Sequence, residues 1–240
     1  MIHRFHLDNS IFNYTYCMIK LSLRGLQKFR LSPRPYRMRQ RQAAGEHTRA
    51  RILAAARKLL LSKSFSEFTM EAVARKADVS RLTVYYQFES KAGLLESLYD
   101  YLAKRGEMER LADTFRRAVD PLITLQEFIL VFAHFWASDR EIIRRLHGLG
   151  AIDPEVGEGI RARNERRRQG LRVIIGRYWK ANSSPTSIQE PDAIDTLHML
   201  TSFETFDALT GGGRSLEEVV TIIRRQAYYA IGIIEKTSAK

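Results

Sequence analysis

The sequence predicts an all-α protein with a small amino-terminal domain and a larger carboxy-terminal one. Apolar residues recur at the three- and four-residue spacing of one helix face through most of the chain. No stretch alternates apolar and polar residues between hairpin turns, as a half-buried strand would. The length of 240 residues and the 45% hydrophobic content suffice for two domains. We expect a leader at 1–44, the small domain at 45–92 and the large domain at 93–240.

The net charge of +12 is concentrated at the amino-terminal end. Residues 1–44 hold nine Lys or Arg and one Asp, a balance of +8, and residues 45–95 hold nine basic and five acidic residues, a balance of +4. Residues 96–240 hold 21 of each sign and are neutral. A basic end suits contact with nucleic-acid phosphates, although an ordinary solvated face explains +4 nearly as well.

The composition disfavours several classes of protein. The single cysteine, Cys17, forms no internal disulfide, which fits a reducing cytoplasm. The longest apolar run, 122–137, contains four polar residues and predicts a buried core helix rather than a membrane span. The histidines lack metal-ligand spacing, and the sequence contains no catalytic constellation. We therefore expect a cytoplasmic protein with no enzyme activity, no metal, no cofactor and no membrane partner.

The leader, 1–44, differs from the rest of the chain. Its apolar part has no clear small-residue cleavage site, so a signal peptide is not expected. The basic tract KFRLSPRPYRMRQRQ, broken by two prolines, predicts disorder. Two interpretations stay open: a basic arm that adds phosphate contacts, or a mis-assigned start with Met38 as the true first residue, which we favour.

The stretch from Thr69 to Leu95 predicts two short helices joined by a tight turn. Thr69 and Ser80 are good N-cap residues, and Asp78 stands where the chain must turn. An ordinary three-helix packing unit would show the same spacing. The second helix, however, exposes a guanidinium, hydroxyls and an amide, which are groups that read base edges and phosphates in a DNA major groove. These groups belong to Arg81, Thr83, Tyr85, Tyr86 and Gln87.

The segment AVARKADVSRLTVYYQFESKAGLL resembles the DNA-binding domain of the tetracycline-repressor (TetR) family of bacterial regulators. The likeness runs from about His47 to Tyr99, and its most telling part is VS-x-x-TVYY-x-F-x-SK-x-x-LL. Asp78 stands where the family more often has glycine. The resemblance implies a three-helix domain with a helix-turn-helix, a double-stranded DNA operator, and a fourth helix, expected to reach about Phe115, that begins with a phosphate contact from Lys91. We expect DNA contacts from Thr48, Thr69, Ser80, Arg81, Leu82, Thr83, Tyr85, Tyr86, Gln87 and Lys91.

The large domain has clear helix boundaries. Asp120-Pro121 and Asp153-Pro154 each place an N-cap before a proline, and Ser215 with Glu218 forms a capping box. The five arginines and one glutamate between 161 and 168 predict a solvated helix face. Helices are predicted at about 121–138, 140–148, 154–180, 190–210 and 215–236.

The apolar patterns of two of these helices predict that the protein forms a dimer. Apolar residues surround the whole circumference of the 190–210 helix, which must then be buried on all sides. The last helix carries one continuous apolar stripe. The simplest burial is a four-helix bundle between two copies, where TetR-like proteins dimerise, and packing inside one chain is the alternative. The expected homodimer interface consists of Phe206, Leu209, Val219, Val220, Ile223, Ala227 and Ile231.

Aromatic residues also recur at helical spacing in the large domain. Such residues are more often core than ligand pocket, but the resemblance implies a pocket for a small-molecule effector, apolar or aromatic in character. We expect it at Tyr101, Met108, Phe128, Phe132, Trp136, His147 and Phe203.

The favoured functional hypothesis is a dimeric TetR-like transcriptional regulator, specifically a repressor that binds a palindromic operator and is released by its effector. The alternative is a ligand-independent architectural or scaffold protein that binds DNA at many sites. An enzyme on a helical scaffold is a distant third.

Overall fold

The computed structural model describes residues 34–61, 67–117, 120–182 and 188–233, with side chains from residue 42 onward. The leader before residue 34, with Cys17, lies outside these ranges, as does Ser183-Ser184-Pro185, whose composition predicts a loop. Every regular element within the described ranges is an α-helix, which confirms the predicted all-α class. The helices are α1 (Arg34–Leu60), α2 (Met70–Ala77), α3 (Arg81–Phe88), α4 (Lys91–Arg105), α5 (Arg110–Arg117), α6 (Pro121–Ser138), α7 (Arg140–Ile152), α8 (Pro154–Asn182), α9 (Glu190–Leu200), α10 (Phe203–Gly211) and α11 (Leu216–Ala230).

The described residues form two compact units. The amino-terminal unit contains 34–102 and 141–160, and the carboxy-terminal unit contains 103–140 and 161–233. The helices α4 and α8 therefore each contribute residues to both units.

Helices α1, α2 and α3 of the amino-terminal unit pack around a small apolar core. Ile52 of α1, Val73 of α2 and Val84 of α3 are fully buried there. The turn between α2 and α3 is the predicted one, because Asp78 adopts the left-handed conformation, with φ 52° and ψ 54°. Its backbone N–H donates to the last carbonyls of α2, which is how a helix ends at a left-handed residue.

Helix α1 begins earlier than the sequence indicates. It starts at Arg34, so residues 34–44, predicted to be disordered, are helical. Pro35 does not prevent this, because it lies in the first turn, where the backbone N–H groups have no helical acceptor.

Helix α4 ends at Arg105 and does not continue to Phe115 as predicted. The helix is interrupted at Gly106 and Glu107, where Glu107 has a positive φ of 57°. A Cβ atom at Gly106 would lie 2.9 Å from the Cα of Phe135, so only glycine allows this approach to α6.

The carboxy-terminal unit is built on α6. This helix packs against α5, α10 and α11, and nine of its 18 residues are buried. Among the described residues it alone is long and apolar enough to cross a membrane. Its burial inside the unit agrees with the predicted core helix.

The predicted 190–210 helix is two helices, α9 and α10, separated by Thr201 and Ser202. The Ser202 hydroxyl accepts the N–H of Thr205 and so starts a new helix. Met199 is 58% exposed in the single chain, so this chain alone does not cover α9 on all sides. Helix α9 packs mainly against α11, whereas α10 packs against both α6 and α11.

Arg167 departs from the solvated face predicted for residues 161–168. Its side chain is only 2% exposed, whereas Arg161 and Arg166 are exposed. The reason is helical register, since Leu171 and Ile174, four and seven residues later, are also buried.

Candidate nucleic-acid interface

Helix α3 is a short helix with one buried side and one open side. Val84 and Phe88 are 0% and 4% exposed and face the core. Leu82 and Tyr86 are 79% and 85% exposed. At about 100° per residue, the line through Leu82 and Tyr86 lies opposite the line through Val84 and Phe88. One side of the helix is therefore exposed along both of its turns, as is required of a helix that enters a DNA groove.

Arg81 lies at the flank of this open side and is held by two neighbours. Its Nε is 2.8 Å from Oε1 of Glu71 on α2, and its Nη2 donates to the Tyr85 hydroxyl at 3.4 Å. The guanidinium also lies 5.2 Å from the centre of the Tyr85 ring. The hydrogen bond to Tyr85 and the charge of Glu71 both raise the pKa of Arg81. The Arg81 side chain is thus paired within the protein and remains 62% exposed.

The predicted hydroxyl contacts are also caps within the protein. Thr69 accepts the N–H of Ala72, and Ser80 accepts the N–H of Thr83 at 3.0 Å. The Ser80 and Thr83 oxygens are themselves 2.8 Å apart. Thr48 donates to the Ala44 carbonyl of its own helix. These hydroxyl groups stabilise the helices of the protein. A hydroxyl has two lone pairs, so an oxygen that accepts one hydrogen bond as a cap can accept a second one from a nucleic acid.

Tyr85 and Gln87 are half-buried, so they offer less surface than Leu82 and Tyr86. Lys91, in the first turn of α4, is 3.7 Å from Oδ2 of Asp153, a residue of the same unit. The Lys91 side chain retains 38% exposure and can therefore turn toward a phosphate.

Arg49 and Arg51 of α1 hold other parts of the same unit, although the Arg51 side chain is 41% exposed. Arg49 donates to the Gln87 carbonyl at 2.8 Å and to Ser97 at 2.7 Å, and it lies 4.4 Å from the centre of the Phe88 ring. Burial lowers its pKa. Arg51 donates to the Ala77 and Asp78 carbonyls. Arg49 thus joins α1 to α3 and α4, and Arg51 joins α1 to the end of α2. Local sequence patterns give no signal for such long-range bonds.

The predicted effector residues divide between the two units. Tyr101 and His147 belong to the amino-terminal unit, and the other five belong to the carboxy-terminal unit. In the latter, ring centroids lie 4.7 Å apart for Phe128 and Phe132, 5.8 Å for Phe132 and Trp136, and 5.6 Å for Trp136 and Phe203.

These four rings are at most 5% exposed, while Met108 is half-exposed. The gap bordered by Phe132, Trp136, Thr201 and Phe206 has no room for a water molecule. The aromatic residues fill this part of the unit with one another, so a ligand would have to displace them.

One polar group borders this aromatic cluster. Arg167 lies 5.8 Å from the centre of the Phe132 ring and donates to the carbonyl of His198 and to the Thr201 hydroxyl. Trp136 donates from Nε1 to the Thr201 carbonyl at 3.1 Å. The cluster is therefore tied to the break between α9 and α10.

Most of the expected interface residues are covered by their own chain. Five are between 0% and 3% exposed in the single chain, and their part in a dimer contact stays a prediction. Their burial follows from α11 packing against α6 and α9. Leu209 and Val220 are half-exposed and stay predicted contacts. The five covered residues are Phe206, Val219, Ile223, Ala227 and Ile231.

Comparison with known proteins finds a family that the amino-terminal part of this chain resembles. The model of bacterial regulatory proteins, tetR family, matches residues 52–98, which include α2, α3 and the first half of α4. The chain is 40% identical over 73 residues to the HTH-type transcriptional regulator EthR of Mycolicibacterium smegmatis, covering 30% of this chain and 34% of that regulator. The chain spans between 27% and 57% of the length of the curated relatives it matches.

Solved structures share the fold over a larger part of the chain. A putative TetR-family transcriptional regulator from Syntrophomonas wolfei aligns with a TM-score of 0.64 at 13% identity, covering 80% of this chain and 99% of that one. A putative transcriptional regulator from Saccharomonospora viridis, solved in complex with choline, aligns with a TM-score of 0.61 at 16% identity, covering 80% and 100%. At these identities the likeness is one of fold.

The fold and the open side of α3 define a helical protein with a DNA-binding helix-turn-helix. The chain resembles the tetR family of bacterial regulatory proteins, whose model matches residues 52–98, and the curated relatives that it matches are transcriptional regulators. Its relatives are regulators rather than enzymes. Within the described ranges, no group of three or more His, Cys, Asp or Glu residues is arranged to hold a metal ion.

Proposed function

We propose that the protein is a dimeric repressor that binds a palindromic DNA operator and is released by a small-molecule effector. The observation that carries this proposal is the open side of α3, opposite the buried Val84 and Phe88. The two hydroxyl caps, Thr69 and Ser80, are exposed and Lys91 is half-exposed in the same unit. A tetR-family regulator with a cytoplasmic location would use this side in the major groove.

The residues of this side divide into two roles. Arg81, fixed by Glu71, and Thr83 read base edges, because guanidinium and hydroxyl groups match the donors and acceptors displayed there. Tyr86 and Lys91 contact phosphates. Lys91 exchanges its partner Asp153 for a phosphate on binding, and the positive N-terminus of α4 favours the same anion.

The dimer brings two copies of α3 to one operator. Two half-sites read from one side of the duplex are separated by about 34–36 Å or a multiple of it, so the operator is a palindrome. The available apolar surface of the carboxy-terminal unit includes Leu209, Val220, the exposed Met199 and Tyr229, which is 43% exposed. We assign the dimer contact to this surface.

The effector site is assigned to the aromatic cluster of α6 and α10. Tilted and edge-on rings offer an apolar surface for an apolar or aromatic ligand, which enters by displacing Phe132 or Trp136. The choline complex of the related fold shows a small molecule bound to that protein. An architectural protein that binds many DNA sites without an effector is the second candidate, favoured by the closed packing of the cluster.

Genome-wide binding, measured with and without candidate effectors, separates the two functions. A repressor occupies few palindromic sites and leaves them when its effector is added. An architectural protein occupies many sites and ignores the small molecule. Selection of bound duplexes from a random pool would then define the operator.

Lys91→Ala tests the phosphate contact. The binding constant falls with salt, and each lost phosphate contact makes the plot of log binding constant against log salt concentration less steep by about 0.9. A dimer loses two such contacts, so its slope should become less steep by about 1.8. Operator and random DNA should weaken alike, as measured by fluorescence anisotropy at several salt concentrations. Lys76→Ala, an exposed lysine of α2 outside the proposed contacts, is the matched control. An unchanged slope for Lys91→Ala would remove this residue from the interface.

A further inference from the structure

The most outward side chain at the start of α3 is apolar. Leu82, the second residue of the helix, is 79% exposed, and it lies opposite the buried Val84. An exposed leucine is unremarkable by itself, since much of any protein surface is apolar. Here it occupies the part of the helix whose residues approach base edges most closely in helix-turn-helix proteins.

The neighbouring polar groups are already held. Arg81 is paired with Glu71 at 2.8 Å and bonded to Tyr85, on one flank of Leu82. On the other flank, Thr83 is bonded to Ser80 through its N–H, and the two hydroxyl oxygens are 2.8 Å apart. A helix that entered the groove with this side would meet the bases with the Leu82 methyl groups first.

We propose that Leu82 is a specificity-determining residue that contacts the C5-methyl group of thymine in the major groove. The thymine methyl is the only apolar group that a natural base pair displays there, and apolar side chains recognise it by contact. Contact removes both surfaces from water, whereas cytosine at the same position leaves Leu82 against a polar amino group. The inference rests on the proposed operator binding and names the base feature that this binding reads.

The test removes the methyl group alone. Deoxyuridine replaces thymidine at one operator position after another, which keeps every hydrogen bond of the base pair. At the contacted position the unmodified protein should bind about fourfold more weakly for each half-site, the value expected for one buried methyl group. Changing both half-sites should cost about sixteenfold.

Leu82→Ala assigns the effect to the residue. This variant should bind the thymine and uracil operators equally at the contacted position, because the side chain that recognises the methyl group is gone. Tyr86→Phe is the matched control, since it also changes an 85% exposed residue of the same helix line but leaves Leu82 intact. It should retain the thymine preference. Circular dichroism would verify that both variants fold.

The outcomes separate this inference from the proposed function. A protein that selects no sequence from the random pool would refute operator binding itself. Specific binding with no thymine position sensitive to uracil would overturn the role of Leu82 and favour a protein-contact role for the exposed leucine. An equal loss on uracil DNA in the unmodified protein and in Leu82→Ala would assign the methyl contact to another residue.

Discussion

Replacing Arg167 by Met should destabilise the carboxy-terminal unit substantially. The guanidinium donates to the His198 carbonyl, to the Thr201 hydroxyl at 2.8 Å and to Asn164 at 3.3 Å, so it joins α8 to the break between α9 and α10. Met fills a similar volume but donates nothing, and the His198 carbonyl loses its strongest partner.

The magnitude follows from these bonds. A hydrogen bond from a charged group contributes about 1.5–3 kcal/mol, and a buried acceptor left without its partner costs about 1–3 kcal/mol. Removing a buried charge also avoids its desolvation cost, which offsets part of the loss. We expect the free energy of unfolding to fall by about 2–4 kcal/mol.

Urea unfolding followed by tryptophan fluorescence measures this change where it occurs. Trp136 and Trp179, the two tryptophans of the chain, both lie in the carboxy-terminal unit, and Trp136 bonds to the same Thr201 that Arg167 holds. Arg166→Met is the matched control, because its side chain is exposed, and it should change the stability by less than about 0.5 kcal/mol. Equal effects of the two substitutions would refute the structural role of Arg167.

Two further predictions concern the turn and a histidine. Asp78→Ala should be about 1 kcal/mol less stable than Asp78→Gly in thermal unfolding, because alanine is strained at φ 52° and glycine is not. Equal stabilities would argue against a left-handed turn. Burial, together with the nearby Arg167, lowers the pKa of His198 below its ordinary value of 6.5. The unfolded chain therefore binds the proton more tightly, and this contribution to stability is present above about pH 6.5 and is lost as the pH falls through the folded-state pKa. His198→Gln should reduce the decline in urea stability between pH 8 and pH 5, and an identical decline in both proteins would contradict this assignment.

The helix-turn-helix could be predicted from sequence because its determinants are local. The caps Thr69 and Ser80 and the turn residue Asp78 act within three or four residues of themselves, and the structure confirms all three. The roles of Arg49 and Arg51 could not be read in the same way. Their acceptors lie 26 to 48 residues away, and a basic residue near a helix start looks the same whether it faces solvent or holds another helix.

The carboxy-terminal unit shows the same limit in a different form. Hydrophobic periodicity marks residues that are buried, but it does not say whether the covering surface belongs to the same chain or to a second copy. Val219 and Ile223 form the predicted apolar stripe of α11, yet their own chain covers them. Apolar residues continue at helical spacing on both sides of Ser202, so the hydrophobic pattern does not indicate that a helix ends there. The one local indication is Ser202 itself, an N-cap residue whose hydroxyl accepts the N–H of Thr205.

The short α3 helix is already formed and held in place in the protein without DNA. A peptide of eight residues is not stably helical in water, because helix nucleation is costly. Here Ser80 caps its start, Arg49 bonds the Gln87 carbonyl near its end, and Val84 anchors its middle. The entropy cost of ordering this helix is thus met during folding, so the proposed binding to DNA would not have to meet it again. Leu82 and Tyr86, the most exposed side chains of α3, are then the ones available for the proposed contacts: Leu82 with a base and Tyr86 with a phosphate.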